Sequence, residues 1–409
     1  MKDFFNVKNL DEVLSLTGIF SKVGTEEVPL GGAFGRVLAA DVAADINLPG
    51  FSRSTMDGYA VDAAGTFGAS EGNPAYLTVS GSVSMGEVPA FHVEPTGSAR
   101  IATGGMLPDG TNSVVMIEHT EAIDPETIEV YKSVAPGNHV IQIGEDYPAG
   151  AVVLRRGQQV FAPQMGVLAA FGKSTVPVYR QPVVGILSTG DEIVPIDALP
   201  GMGEIRDVNT YTLSGLLHAC GCLPKVFGIV RDDFGALASR CARAVERCDA
   251  VLISGGSSVG ARDFTIEAVQ SLAQSEILFH GISISPGKPT ILARIGEKQF
   301  WGLPGHVVSA MVVMHAVVHP FLDHIRGLQP PKKPIAPLRA VLDRNIASTQ
   351  GRVDYVRVSL SELEGRTIAS PILGKSGLIN TMADADGLVI IDINEEGLDQ
   401  GTEVPVMPL

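Results

Sequence analysis

The chain has 409 residues, more than one hydrophobic core usually organises, so two to four domains are expected. Its hydrophobic share of 45% and charged share of 18% are ordinary for a globular, soluble protein. The formal net charge of −15 argues against nucleic-acid binding and against attraction to an anionic membrane. The first twenty residues alternate apolar and charged positions, so no signal peptide and a cytoplasmic location are predicted.

The first 180 residues predict a helical segment that is interrupted by a small β domain. Residues 1–45 predict a helix, a turn and a second helix carrying Arg36, Leu38 and Ala39. A further helix is predicted over 163–172, with proline at its start and glycine at its end. Segments 1–45 and 147–180 would then form one elongated helical domain. Between them, residues 46–146 contain short β-type runs separated by turn residues, as in an inserted β domain.

Residues 181–327 alternate strands and helices, which predicts a doubly wound parallel sheet with helices on both faces. Strands are predicted over 183–187, 225–230, 251–253, 290–293 and 300–303, and helices over 211–219, 234–248, 264–274 and 307–325. The last helix contains the longest apolar run, which falls short of the ~20 residues that a bilayer needs and predicts a buried helix. Cys241 and Cys248 share an apolar helix face and are expected to be core thiols.

After a proline-rich linker at 329–334, residues 328–409 predict a C-terminal β domain. Its strands are predicted over 339–342, 353–360, 367–372 and 387–391.

The stretch AVLISGGSSVGARD, residues 250–263, joins a buried strand to a helix through a loop of small residues. Its backbone N–H groups and the following helix N-terminus are suited to binding an anion, and glycine and serine let a ligand approach closely. The alternative interpretation is a tight turn with Asp263 as the helix N-cap. The loop contains neither a Walker motif nor G-x-G-x-x-G.

Other loops predicted at the same carboxyl edge of the sheet carry glycine, a small hydroxyl residue or an acid. These loops are 188–192, 206–209, 231–234, 285–288 and 302–306. Carboxylates together with an anion-binding turn suit a Mg²⁺–phosphate substrate, and Lys288 would supply a point charge for an oxyanion. Helix capping alone would explain Asn209, Asp232 or Asp263 taken singly.

Nine motifs in this order resemble one family, the molybdopterin molybdenumtransferases of the MoeA/gephyrin E-domain type. They are LPGFSRSTMDGYAV (48–61), GEDYPAG (144–150), STGDEIV (188–194), EIRDVNTY (204–211), VRDD (230–233), SGGSSVGARDF (254–264), SPGKPT (285–290), GLPGHVVSA (302–310) and SGLINTMADADGLVII (376–391). The resemblance implies the four domains above, with a β-barrel-like C-terminal domain, and a homodimer whose active cleft is built by both subunits. It implies Mg²⁺-dependent insertion of molybdate into the dithiolene of adenylylated molybdopterin, with release of AMP. The adenylyltransferase that supplies this pterin would be a possible partner.

The resemblance carries functional residues onto matching positions of this chain. The catalytic set is Asp57, Asp146, Glu192, Asp232, Asp263 and Lys288. The set that binds the pterin and the oxyanion is Ser254, Gly255, Gly256, Ser257, Ser258, Gly260, Asp207, Asn209, Pro286, Gly287, Pro304, Gly305, Arg352 and Ser376. Asp232 and Asp263 are expected to hold Mg²⁺ beside the pyrophosphate.

The chain departs from the family pattern in three places, which involve four residues. The family often has lysine where this chain has Ser285, Asn-Pro where it has His306-Val307, and an acid where it has Ser52. Because these positions lie on the oxyanion and pterin side, a tungstate-preferring homologue is one alternative. The others are a molybdopterin adenylyltransferase and a non-enzymatic scaffold that binds a partner peptide.

Overall fold

The computed structural model describes residues 7–255, 264–330 and 337–409. The chain divides into two compact units. The first contains Met1–Ala39, Gly157–Val160 and Val176–Leu409, and the second contains Ala40–Arg156 and Phe161–Thr175.

The second unit is built on a six-stranded mixed sheet. In spatial order its strands are Ser113–Met116, Gly58–Val61, Gly97–Ile101, Ala75–Val83, Thr127–Val130 and Thr120–Asp124. Two small antiparallel pairs join Arg53–Ser54 to Val140–Ile141 and Val42–Ala43 to Val152–Leu154. The β-type runs predicted here are present as strands of this sheet, and the predicted helix is present as Ala162–Ala170 with Pro163 in its first turn.

The N-terminal segment of the first unit begins with the helix Leu10–Ser15, whose first turn is closed by a capping box between Asn9 and Glu12. The second helix predicted around Arg36 is wrong. Val37 and Leu38 instead form antiparallel bridges with Gln159 and Val178. The preceding Gly35 has a φ of +75°, a left-handed conformation that ends a helical path, and the missed turn signal is the glycine-rich run before it.

The central sheet of the first unit has six strands. In spatial order they are Leu223–Val230, Val183–Thr189, Ala250–Ser254, Lys298–Leu303, Ile291–Ile295 and Ser275–His280. The first four run parallel, as predicted, but the last two pair antiparallel. The expectation of a fully parallel sheet is therefore wrong at this edge. Only two residues, with Gly296 at positive φ, join Ile291–Ile295 to Lys298–Leu303, and a parallel crossover needs a dozen or more.

Helices cover both faces of this sheet, which confirms the predicted doubly wound arrangement. They are Asn209–Ala219, Phe234–Arg247, Phe264–Gln270 and the long helix Val307–Ile325. Leu252 and Trp301 belong to the core on one face, whereas Val251 and Phe300 belong to the core on the other. Cys241 and Cys248 are buried in the second core, as predicted.

Within the described ranges, Val307–Ile325 is the one helix whose length and composition would allow it to cross a membrane. Most of it is buried inside the first core, where Val308, Val312 and Phe321 are fully enclosed. It is therefore the buried helix that the sequence predicted.

The C-terminal strands form a closed barrel. In order around it they are Val353–Leu363, Arg366–Pro371, Leu338–Leu342, Glu403–Pro408 and Gly387–Ile391, and the last pairs with the first. A sixth, short strand from the central region, Ile284–Ser285, runs parallel to Val353–Asp354. This pairing joins the barrel to the α/β region beside the sheet edge where the predicted site residues lie.

Candidate active site

A cleft of ≈ 1310 Å³ opens at the carboxyl edge of the parallel strands and extends to the barrel. All the residues that line it belong to the first unit. Twelve predicted site residues line this cleft: Glu192, Asp207, Asn209, Ser254, Gly255, Pro286, Gly287, Lys288, Pro304, Gly305, Arg352 and Ser376. The predicted residues Gly256, Ser257, Ser258, Gly260 and Asp263 lie outside the described residues.

The first residues of the small-residue loop are held tightly at the ends of the strands. Gly255 has a φ of +105°, and a Cβ atom there would lie 2.1 Å from the carbonyl oxygen of Thr189. The Nδ2 of Asn209 donates to Ser254 Oγ and, at 2.8 Å, to the carbonyl of Gly305. Asn209 thus ties two neighbouring strand ends together. Its Oδ1 is buried and has no hydrogen-bond partner within the described residues.

Asp207 is buried and anchors the helix Asn209–Ala219. Its Oδ1 accepts from Ser188 Oγ at 2.9 Å and from the backbone N–H of Thr210 at 3.1 Å, and its Oδ2 accepts from Thr210 Oγ1 at 2.6 Å. Since the carboxylate is already engaged by three donors, its contribution is to fix the start of this helix at the cleft wall.

The acidic side of the site lies at two adjacent strand ends, and of its residues Asp191, Glu192 and Asp232 only Glu192 lines the cleft. Thr189 Oγ1 donates to Asp232 Oδ1 at 3.0 Å, and the backbone N–H of Asp232 donates to Asp191 at 3.2 Å. Glu192 is exposed, and its carboxylate lies against Gly190, where a Cβ atom would be 2.7 Å from Oε2. Across residues 7–255, 264–330 and 337–409, no group of three or more His, Cys, Asp and Glu side chains is arranged to hold a metal ion.

The basic side combines Lys288 from the central region with Arg352 from the barrel. Val353 donates its backbone N–H to the carbonyl of Ser283 at 2.9 Å, which places the turn carrying Lys288 next to Arg352. Arg352 Nε lies 2.9 Å from Asp354 Oδ1, and its Nη2 donates to Oδ2 at 3.2 Å. Ser348 Oγ also donates to Oδ2 at 2.7 Å. The buried Asp354 therefore orients the Arg352 guanidinium beside the cleft.

Sequence reasoning missed Asp354 and Ser348. The available signal was the spacing of Arg352 and Asp354, because residues i and i+2 of an extended segment share one side. His306 entered the sequence analysis only as a departure from the family pattern. Its Nδ1 lies 2.8 Å from Ser376 Oγ, so its partner is another predicted site residue.

Asp57 and Asp146 belong to the second unit. The backbone N–H and the hydroxyl of Thr103 donate to Asp57 Oδ1 at 2.7 and 3.0 Å, and these bonds lower the pKa of that carboxyl from its usual value. Asp146 is exposed in the turn 144–150, and its backbone N–H donates to the carbonyl of Leu48 at 3.1 Å.

Three family models match consecutive parts of the chain. The model described as MoeA N-terminal region (domain I and II) matches residues 8–172, the probable molybdopterin binding domain matches 185–324, and the MoeA C-terminal region (domain IV) matches 339–409. A putative molybdopterin biosynthesis protein of Methanocaldococcus jannaschii is 36% identical over 93% of this chain and 91% of its own. The chain belongs to the MoeA family.

Other members of the family are similar to this chain over nearly its full length. A Bacillus subtilis protein named molybdopterin molybdenumtransferase is 30% identical over 97% of this chain and 93% of its own. A solved structure of a molybdopterin biosynthesis MoeA protein from Pyrococcus horikoshii superimposes with a TM-score of 0.85 at 31% identity, covering 99% of this chain and 100% of that one. The resemblance and the fold class inferred from the sequence motifs are thereby confirmed.

Proposed function

We propose that the protein is a molybdopterin molybdenumtransferase, which inserts molybdate into the dithiolene of adenylylated molybdopterin and releases AMP. The observation that supports this most is the composition of the cleft. One part of its lining carries Ser254, Gly255 and Glu192, which suit a phosphorylated ligand, and another carries Lys288, Arg352 and Ser376, which suit an oxyanion. The full-length relationship to proteins of that name supports the same assignment.

In this proposal the chain contributes positioning and electrostatics. Ser254, bonded to Asn209, and Gly255, whose backbone N–H donates to the carbonyl of Leu303, begin the loop that we propose receives the phosphate of the pterin substrate. Lys288 and Arg352 offset the negative charge of molybdate, and Ser376 adds a hydroxyl donor. Asp354 keeps Arg352 in the orientation that this role requires. Pro286, Gly287, Pro304 and Gly305 form the turns on which these groups are carried.

Mg²⁺ fits the donor set of the acidic side. Magnesium is commonly held by one or two carboxylates together with substrate phosphates, and Asp232 offers an exposed carboxylate at this edge. We propose Asp232 and Asp263 as its protein ligands, with Glu192 nearby on the acidic wall. The ion would polarise the phosphoryl oxygens of the substrate.

We also propose a homodimer in which both subunits build the active cleft, with Asp57 and Asp146 as the acidic contribution of the second unit. The four-domain division, with boundaries near residues 45, 146, 180 and 327, belongs to the same proposal. So do a cytoplasmic location and an adenylyltransferase partner that delivers the pterin.

The test is AMP release from adenylylated molybdopterin with Mg²⁺, measured over a range of molybdate and tungstate concentrations. Release that depends on molybdate supports the transferase. Release with tungstate alone would make Ser285 and His306 the first residues to examine for oxyanion choice. No release with either oxyanion, despite tight pterin binding, would favour the scaffold, and ATP-dependent adenylylation of free molybdopterin would favour the adenylyltransferase.

A further inference from the structure

Ser376 occupies the point where a loop next to the barrel meets the central α/β region. Its Oγ lies 2.8 Å from His306 Nδ1, and its carbonyl oxygen accepts from the backbone N–H of Val308 at 3.1 Å. Both Ser376 and His306 line the cleft. The His306 side chain makes no capping bond to the helix that begins at Val307, and it forms its hydrogen bond with Ser376 instead.

The backbone that carries Ser376 is fixed from behind. Arg357 is only 7% exposed, and its Nη2 donates to the carbonyl oxygen of Gly374 at 2.9 Å. A Cβ atom at Gly374 would lie 2.7 Å from Thr381 Cγ2, so a side chain there would require Thr381 to shift. Gly374 and Ser376 are thus both bonded through their carbonyl oxygens, which holds the main chain beside His306, and the direction of the Ser376 hydroxyl proton depends on the side-chain partners of Ser376.

That direction depends on which partner donates in the contact with His306. A serine hydroxyl carries one proton and two acceptor lone pairs, and a neutral imidazole carries a proton on only one nitrogen. If Nδ1 of His306 accepted, the single hydroxyl proton of Ser376 would be engaged in the hydrogen bond to His306. If Nδ1–H donates, that proton is available to a ligand in the cleft. An oxyanion such as molybdate can only accept.

We propose that His306 donates through Nδ1–H to Ser376 and thereby directs the Ser376 hydroxyl proton toward the bound oxyanion. His306 is then a positioning residue for the oxyanion, acting through Ser376, and this inference rests on the proposed function. It differs from a structural role because the main-chain bond from Val308 and the bonds from Arg357 hold the loop without the imidazole.

The test compares His306→Ala with His306→Asn. The asparagine amide can place a donor where Nδ1–H lies, so the donor is lost in the first variant and kept in the second. For His306→Ala we expect the KM for the oxyanion to rise about tenfold, as for a lost hydrogen bond to a charged group, with the KM for adenylylated molybdopterin unchanged. His306→Asn should restore the oxyanion KM to within about threefold of the wild type. His218→Ala, an exposed histidine outside the cleft, is the matched control.

A double-mutant cycle decides whether His306 acts through Ser376. In a Ser376→Ala background, adding His306→Ala should change the oxyanion KM by less than about twofold. Calorimetric titration with molybdate or tungstate alone should show the same pattern in affinity. Unchanged oxyanion binding in His306→Ala, equal effects on both substrates, or full additivity with Ser376→Ala would overturn the proposal. A wild-type protein that binds oxyanion but releases no AMP would refute the proposed function while leaving the binding arm of this test intact.

Discussion

The Asp354–Arg352 pair gives the sharpest prediction about the oxyanion side of the cleft. Asp354→Asn keeps the shape of the side chain and leaves an oxygen that can accept from Ser348, but it removes the charge that faces Arg352. The Asp354 side chain is 10% exposed and that of Arg352 is 44% exposed, so solvent screens the ion pair from the Arg352 side. We therefore expect a loss of about 1–2 kcal/mol in the free energy of unfolding, the lower part of the range for bonds to charged groups.

The functional effect should be larger on the oxyanion than on the pterin. Without its carboxylate partner the guanidinium samples several directions, so the KM for molybdate should rise about tenfold, equivalent to about 1.4 kcal/mol. The assay is AMP release at saturating adenylylated molybdopterin with molybdate varied, together with urea unfolding followed by circular dichroism. Ser348→Ala is the control, because it removes one neutral donor and leaves the ion pair in place. If Arg352→Ala raises this KM and Asp354→Asn does not, the orienting role assigned to Asp354 is refuted.

Three further predictions concern the loops. Gly255→Ala should abolish AMP release and lower the free energy of unfolding by about 1–3 kcal/mol, because residue 255 has a positive φ and its Cβ atom would clash with the Thr189 carbonyl. Near-normal turnover of this variant would contradict the geometry of the strand end. Thr103→Val removes one of the bonds that lower the pKa of Asp57, so an NMR titration should show that pKa rising toward its usual value. A lowered folded-state pKa stabilises the protein above the unfolded pKa of about 4, and this stabilisation is lost as pH falls. The variant should therefore be less stable than the wild type above about pH 4, with a difference that shrinks as pH falls below it, and an unchanged titration would argue against the bond. Asp263→Asn should leave the unfolding midpoint unchanged and reduce turnover about 100-fold, and normal activity would remove Asp263 from the mechanism.

The hydrophobic periodicity of the sequence predicted most of the helices and strands of the α/β region. Short β-branched runs such as Val251–Ile253 and amphipathic segments such as Phe234–Arg247 are local signals, and both elements are where the pattern predicts them. The antiparallel edge was missed because a single glycine, Gly296, changes the direction of the chain there. The absent second N-terminal helix has the same kind of cause at Gly35.

The basic side of the site could be predicted only in part. Lys288 and Ser376 lie in matched motifs and Arg352 was assigned by its matching position, but the contacts that hold these residues come from strand pairings that no local pattern encodes. His306 and Ser376 are 70 positions apart, and the barrel closes through Val353–Leu363 and Gly387–Ile391. Such contacts follow from the register of strands far apart in sequence. The roles of all the predicted site residues, Asp57, Asp146 and Asp263 included, stay predictions.

The parallel pairing of Ile284–Ser285 with Val353–Asp354 also makes the barrel and the α/β region depend on each other during unfolding. A separated fragment covering 337–409 would leave the backbone groups of Val353 and Asp354 as an open strand edge, which favours association with other chains. The intact protein should therefore lose both regions in one cooperative transition. Its single tryptophan, Trp301, is buried in the α/β sheet, so its fluorescence would report that region alone while circular dichroism reports both. Coincident urea transitions by the two signals would show that the α/β region and the barrel, which share the cleft, unfold together.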